Sequence, residues 1–221
     1  MSGAARAAIF AALAGSAGGP PASAAEITAA AAALLADPAA VRPAGAGGDL
    51  VEHFVTQATS PRLGATLERL ATAADLPAAV ARYLAAHGLA AELVLAPDPK
   101  LTALDWQGCT LAPTLTAEAP AALAVARWGI AETGSLVFHS SPHEPTLLGF
   151  LPLHHLVLLE AGRILPHLED YAAAVAAMGE PPPRTASLIT GASGTTDIEG
   201  SYVRGAHGPR FVHILLLDEA G

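Results

Sequence analysis

The spacing of apolar residues changes several times along the chain, and each change marks an element. Two alanine-rich stretches open it, residues 4–14 and 24–36, separated by a Gly18-Gly-Pro-Pro21 break. Ile9, Phe10 and Leu13 recur at helical spacing in the first, so both stretches predict helices. Residues 42–48, Arg-Pro-Ala-Gly-Ala-Gly-Gly, have the composition of a flexible linker. From Asp49 the pattern becomes that of a packed domain. Residues 49–58 predict a helix with Leu50 and Phe54 on one face, and residues 65–70 alternate as a strand. A helix follows over 76–87, with Gly88 placed as its stop. Residues 92–96 predict a short strand, a helical turn runs on to Leu104, and residues 109–112 predict another strand.

The second half carries less helix. Residues 123–130, 134–139 and 155–159 are strand-like apolar runs. Residues 168–178 predict a helix ended by Gly179 and the prolines 181–183, and the last strand pair is 186–190 and 211–217. Strands alternating with helical segments imply βαβ units and an open, mostly parallel sheet, here with antiparallel members near an edge. The expected division is a helical extension and linker over 1–48 and an α/β domain over 49–221.

Composition narrows the function classes. Of 221 residues, 52% are apolar, mostly alanine and leucine, yet no apolar run approaches the ~18 residues that span a bilayer. A membrane is therefore not an expected partner. The net charge is −9 and Lys100 is the one lysine, so no basic patch offers itself to nucleic acid. The single cysteine, Cys109, rules out an intrachain disulfide and any cysteine-held iron–sulfur cluster in these residues; a buried apolar role is expected for it. Ala22-Ser-Ala24 mimics an export cleavage site, but the stretch before it is weakly hydrophobic and broken by glycine and proline. An amphipathic helix and a cytoplasmic location are the expectation.

The densest chemistry lies in Thr190-Gly-Ala-Ser-Gly-Thr-Thr-Asp-Ile-Glu-Gly200 and the Ser-Tyr-Val-Arg-Gly-Ala-His-Gly-Pro-Arg210 that follows. Small residues there let the backbone turn and approach another group closely. Thr196 and Glu199 have the spacing of a helix capping box, which predicts a strand feeding a capped helix and an anion-suited helix start. Ligands of open α/β sheets bind at the carboxyl ends of strands. The loops after Ile130 and after Ile189 are then the expected walls of one site.

Four blocks stand in order: Ile130-Ala-Glu-Thr-Gly-Ser-Leu-Val137, Leu151-Pro-Leu-His-His155, Ser187 through Glu199, and Gly205-Ala-His-Gly-Pro-Arg210. Together they resemble the lactate-utilisation protein C family, the LUD-domain proteins, over roughly residues 49–217. The resemblance implies a three-layer α/β/α fold of the kind shared with CoA transferases and sugar-phosphate isomerases. It implies an accessory or regulatory part in bacterial oxidation of L-lactate to pyruvate, beside two partner proteins that carry the iron–sulfur clusters. Two features depart from the family pattern. The stretch from Phe138 to Glu144 is rich in histidine, and Gly194 stands where a larger, often basic, residue is usual.

The candidate ligand-binding residues are Glu132, Thr133, Gly134, Ser135, Gly191, Ser193, Thr195, Thr196, Asp197, Gly205 and His207. Glu132, in Glu-x-Gly spacing, is a candidate covalent nucleophile, a ligand contact or a loop cap. Asp197 either faces a ligand or is structural, with Glu199 expected to serve as the cap. His207, between two glycines, suits acid–base work on a hydroxy acid or anchors its loop. These candidates also allow a stand-alone CoA-transferase-like or sugar-phosphate enzyme using Glu132 or Asp197. His139, His143, His154 and His155 suggest a metal, but prolines break the segment and adjacent strand residues face opposite sides, so no metal or other cofactor is expected here.

Overall fold

The computed structural model describes residues 3–16, 22–37, 48–116, 119–179 and 181–218. It divides into two compact units, Met1–Pro43 and Ala44–Gly221. The first contains α1 (Gly3–Ser16) and α2 (Ala24–Ala36). Helix α2 starts at a capping box: the Ser23 N–H donates to Glu26 at 2.7 Å and the Glu26 N–H donates to the Ser23 hydroxyl at 3.2 Å. The Ala-Ser-Ala stretch that mimics a cleavage site is thus a helix start. Most of residues 42–48, the expected linker, lies outside the described residues.

The second unit opens with α3 (Leu50–Ala58), β1 (Thr66–Leu70), α4 (Leu76–Ala86), β2 (Glu92–Leu95), α5 (Pro99–Thr102), β3 (Thr110–Leu111) and β4 (Ala121–Val125). Then come β5 (Trp128–Ile130), β6 (Ser135–His139), β7 (His154–Glu160), β8 (Ile164–Leu165) and α6 (Leu168–Ala177). Strands β9 (Ala186–Ile189), β10 (Gly194–Ile198), β11 (Ser201–Arg204) and β12 (Phe211–Leu217) complete it. Asp49 caps α3 by accepting the Val51 N–H at 2.8 Å, and Gly88, at φ +64°, follows the end of α4.

Six strands in the order β1-β12-β7-β4-β2-β3 form one parallel sheet. Its centre is apolar on both faces. Leu123, Leu156, Leu158, Leu159, Ile214, Leu215 and Leu216 are all buried, as continuous apolar runs in a doubly covered sheet require. The layered α/β/α arrangement around a mostly parallel sheet is therefore present.

The antiparallel strands do not sit at its edge. They form a second sheet, β8-β5-β6-β9, and β10 and β11 make a separate hairpin. The expected single strand over 123–130 divides between the two sheets. The Ala126 N–H still bonds Leu158 of β7 at 2.9 Å, whereas the next N–H, of Arg127, bonds Val137 of β6 at 2.8 Å. Arg127 is exposed and its guanidinium lies over the Trp128 ring, so the one charged residue in the run marks the corner. Alternation along β7 and β12 separates the faces. His154 and His213 meet Tyr83 of α4 and Phe211 stacks on His154, while His155 lies against Phe138 of β6. Helix α6 covers the far side of the second sheet through Trp128, Ile130 and Val137.

Three of the buried strand histidines make stability fall with acid. Burial pushes His154, His155 and His213 down to about 4; nearby His87 adds to this at His154 and His213, and Glu68 opposes it at His213. Unfolded histidine binds its proton near pH 6.5, so between about pH 6.5 and 4 the unfolded chain holds more protons. Stability is full above that window and is lost on acidification, by about 1.4 kcal/mol per pH unit for each histidine. The urea midpoint should fall steeply from pH 7 to 5. Among the described residues neither ring nitrogen of His155 has a partner, so His155→Leu should raise the midpoint at pH 5 and flatten the slope.

Candidate functional site

The β5–β6 turn carries Glu132 and is fixed from behind. The Gly134 N–H returns to the Ile130 carbonyl at 2.8 Å with φ +67°, and a Cβ there would lie 2.6 Å from the Ala58 nitrogen. Only glycine lets this turn press against the end of α3. The Glu132 N–H donates to Pro166 at 3.1 Å, and the Glu132 carboxylate lies 3.2 Å from His167 Nδ1. Both side chains are mostly covered, 27% and 15% exposed, so their geometry is held by packing as well as by this contact.

A chain of hydroxyls joins this turn to the loop after β9. Thr133 and Ser135 are 2.7 Å apart, Ser135 and Thr190 2.6 Å, and Ser135 is buried. Next to Thr190, Gly191 at φ +75° lies so close to Leu63 that a Cβ would fall 2.5 Å from its carbonyl oxygen. That carbonyl accepts the Ala192 N–H at 3.1 Å. Ser193 then donates to the Pro209 carbonyl and accepts from the Gly205 N–H, each at 2.9 Å.

These ties place the site. Leu63 leads into β1, Leu153 into β7, and Pro209 into β12, and the Arg210 N–H bonds Leu153 at 3.0 Å. The two turns follow the carboxyl ends of β5 and β9, as expected, but both belong to the second sheet. Relative to the parallel sheet they gather at its amino ends, opposite the crevice that open parallel sheets use. The second sheet runs back down the face of the first, and this reversal carries the turns there.

Two cavities result, sharing Thr190. One of about 270 Å³ is lined by Gln57, Ser60, Arg62, Glu132 and Thr133 with Thr190. The other, about 250 Å³, is bounded by Phe150, Ile189, Gly191, Ser193 and His207 with Thr190. Ser135 and Gly134 support the first from beneath. Thr195, Thr196, Asp197 and Gly205 line neither.

The expected helix after Thr196 does not form. Residues 194–204 make the β10–β11 hairpin, turned by Glu199 and Gly200 at φ +52° and +70°. Two successive positive φ values are the mark of a hairpin turn of the primed kind. Glu199 is therefore a turn residue, not a cap, and residues 194–204 present no helix start to an anion. Asp197 lies exposed on the hairpin. The Thr195 hydroxyl donates to it, His207 Nε2 sits 3.5 Å away, and these partners hold its carboxyl below the usual range. Gly194 has a local reason: a Cβ there would collide with the Tyr202 ring across the hairpin.

The histidines do not converge. His139 bonds Tyr171 at 2.9 Å, His143 the Pro97 carbonyl at 3.0 Å, and His154 the Tyr83 hydroxyl at 2.8 Å. Among the described residues no group of three or more metal-ligating side chains is close enough to hold an ion. Trp106 and Trp128 are packing residues, both buried. Cys109 is half-buried, and burial raises its thiol. Burial also raises Glu144 to about 7, offset in part by the Val125 N–H it accepts at 3.0 Å. Val125 ends β4, so this carboxyl belongs to the other end of the sheet. Arg62, Ser60, Gln57 and His167 complete the first cavity and its support, and sequence reasoning passed over all four.

Residues 114–217 match the family described as LUD domain. The chain is 32% identical over 94 residues to Lactate utilization protein C of Bacillus pumilus, covering 41% of this chain and 39% of that protein. It is 32% identical over 105 residues to YkgG of Escherichia coli, covering 46% of each. The chain thus spans less than half the length of the curated relatives it matches. A crystal structure of a DUF162 family protein from Deinococcus radiodurans superposes with a TM-score of 0.53 at 21% identity, covering 76% of this chain and 96% of that one, which shows the same fold.

The two glycine contacts generate a stability test. Gly134→Ala and Gly191→Ala each combine a left-handed backbone penalty with a collision, about 2–5 kcal/mol together, read as a lowered urea midpoint. Gly88→Ala is the control. It shares the left-handed backbone, has nothing within 4 Å, and should cost only about 1–2 kcal/mol.

Proposed function

We propose that this LUD-domain protein, a relative of lactate-utilisation protein C, is an accessory or regulatory component of bacterial L-lactate oxidation to pyruvate. In this reading it binds a small ligand between the Glu132 turn and the Thr190–Ser193 loop. The observation that carries the reading is the joining of those two loops, through Thr133, Ser135 and Thr190, over a cavity that also presents Glu132. The similarity to a lactate-utilisation protein supports the pathway, and the family match over residues 114–217 includes these loops.

The chain's one cysteine cannot hold a cluster, so the electrons of lactate oxidation pass through two iron–sulfur partner proteins. This chain contributes a ligand-responsive surface to that assembly, in the cytoplasm, without a cofactor of its own. Among the described residues no helix is long and apolar enough to cross a membrane. The stand-alone enzyme reading keeps support only at Glu132, because Asp197 stands on an exposed hairpin.

Deleting the gene from its host should abolish growth on L-lactate while leaving growth on pyruvate intact. A tagged copy expressed from its own locus should co-purify with two cysteine-rich, coloured partner proteins. Normal growth of the deletion strain on lactate would sink the pathway assignment.

A further inference from the structure

The 270 Å³ cavity presents charges of both signs to one small space. Arg62 comes from the loop between α3 and β1, and Glu132 from the β5–β6 turn. Between them the lining mixes the apolar side chain of Leu63 with hydrogen-bonding groups, the hydroxyls of Ser60, Thr133 and Thr190 and the carboxamide of Gln57. A cavity of this size sits just below the usual range for ligand pockets, about 300–1,000 Å³, so its occupant has few heavy atoms.

Donor and acceptor rules narrow the chemistry. A guanidinium offers a fork of N–H donors that matches a carboxylate in two parallel hydrogen bonds. An ionised carboxylate such as Glu132 accepts only, so the ligand atom facing it must donate. A ligand carrying a carboxylate alone would satisfy Arg62 and leave Glu132 facing an acceptor or an apolar group. A ligand of few heavy atoms that meets both groups carries its donor close to its carboxylate, and the most compact such arrangement puts the two on neighbouring carbons.

His167 stands behind Glu132 and does not line the cavity. Its Nδ1, 3.2 Å from Glu132 Oε2, donates to the carboxylate and stops it rotating, while the Glu132 backbone is held by Pro166. The His167 N–H is itself held by Asp170 at 3.0 Å, which ties this support to the start of α6. Glu132 therefore meets its ligand with one orientation fixed in advance.

We infer that this cavity binds a small carboxylate with a hydroxyl or ammonium on the adjacent carbon. The carboxylate sits on Arg62, the donor on Glu132, and His167 is a positioning residue. The inference rests on the ligand-binding reading above and adds a selectivity: a 2-hydroxy or 2-amino acid is taken, and the matching 2-oxo acid is not.

Isothermal titration of the full chain with L-lactate, L-alanine, pyruvate and propionate tests it. Lactate or alanine should bind at least about tenfold more tightly than both pyruvate and propionate. Arg62→Ala, at an exposed position, should weaken the binding acid by about tenfold or more. Glu132→Gln separates the two donors. A hydroxyl still finds an acceptor and keeps its affinity within a few-fold, whereas an ammonium loses its counter-charge and about tenfold or more. His167→Ala should weaken binding and His167→Gln, which keeps a donor, should restore it, with circular dichroism confirming that each variant is folded. Equal affinity for all four acids, no heat from any of them with folded protein, or an Arg62→Ala variant that binds normally overturns the assignment. These outcomes are independent of the growth test. A growth defect without selective binding removes the ligand assignment alone, and selective binding without a growth defect removes the pathway alone.

Discussion

The closeness of Gly191 to Leu63 is the constraint on which the rest of the site depends. With no side chain at Gly191, the loop leaving β9 lies directly on the segment feeding β1 and gives it an N–H to accept. That contact moors the second sheet to the amino ends of the first. It also sets Thr190 opposite Ser135 and fixes the wall shared by the two cavities. Gly134 does the same for the other turn, against the end of α3. Two positions without a Cβ thus convert two loops of one sheet into the floor of a cavity whose far side is the end of α3 and the loop leading into β1.

Charge is arranged differently in the packed interior and in the cavity. The side chains that burial shifts furthest serve packing. Glu144 caps the last N–H of β4, His213 stacks on the Tyr83 ring, and His154 meets that ring edge-on. The cavity instead uses a half-covered carboxylate and an exposed arginine, both within reach of a solute. A strongly displaced pKa is a sign of burial before it is a sign of chemistry, and in this fold the two have separated.

Much of the fold was legible because local pattern and tertiary role agree. The helix over Leu50–Ala58, the stop at Gly88 and the long apolar strands β7 and β12 follow from period, cap and length alone. The corner at Arg127 was not read, since apolar residues continue on both sides of it and only one charge announces the change of sheet. The hairpin at 194–204 was misread for a sharper reason. Thr196 and Glu199 satisfy a capping rule, but Glu199-Gly200 between two alternating runs satisfies a hairpin rule as well. The β-branched residues Thr195, Thr196, Ile198 and Val203 decide for the strands. Within the site, Glu132 to Ser135 and Gly191 were recognisable from glycine spacing. Arg62 and His167 carry no local signature; they reach the turns through pairings between segments far apart in sequence.

The sheet order has a consequence for how this protein comes into being. Strand β12 is inserted between β1 and β7, and its register with β1 joins Thr66 to His213. Until a ribosome has released residues 211–217, β1 has no neighbour in the sheet and β7 has an open edge on one side. Loop closure over so long a separation is slow and entropically costly, and unpaired apolar strands invite association in the meantime. The emerging chain must therefore carry β1 unpaired from residue 70 until residues 211–217 emerge, and the floor of the cavity closes only when β12 slides home.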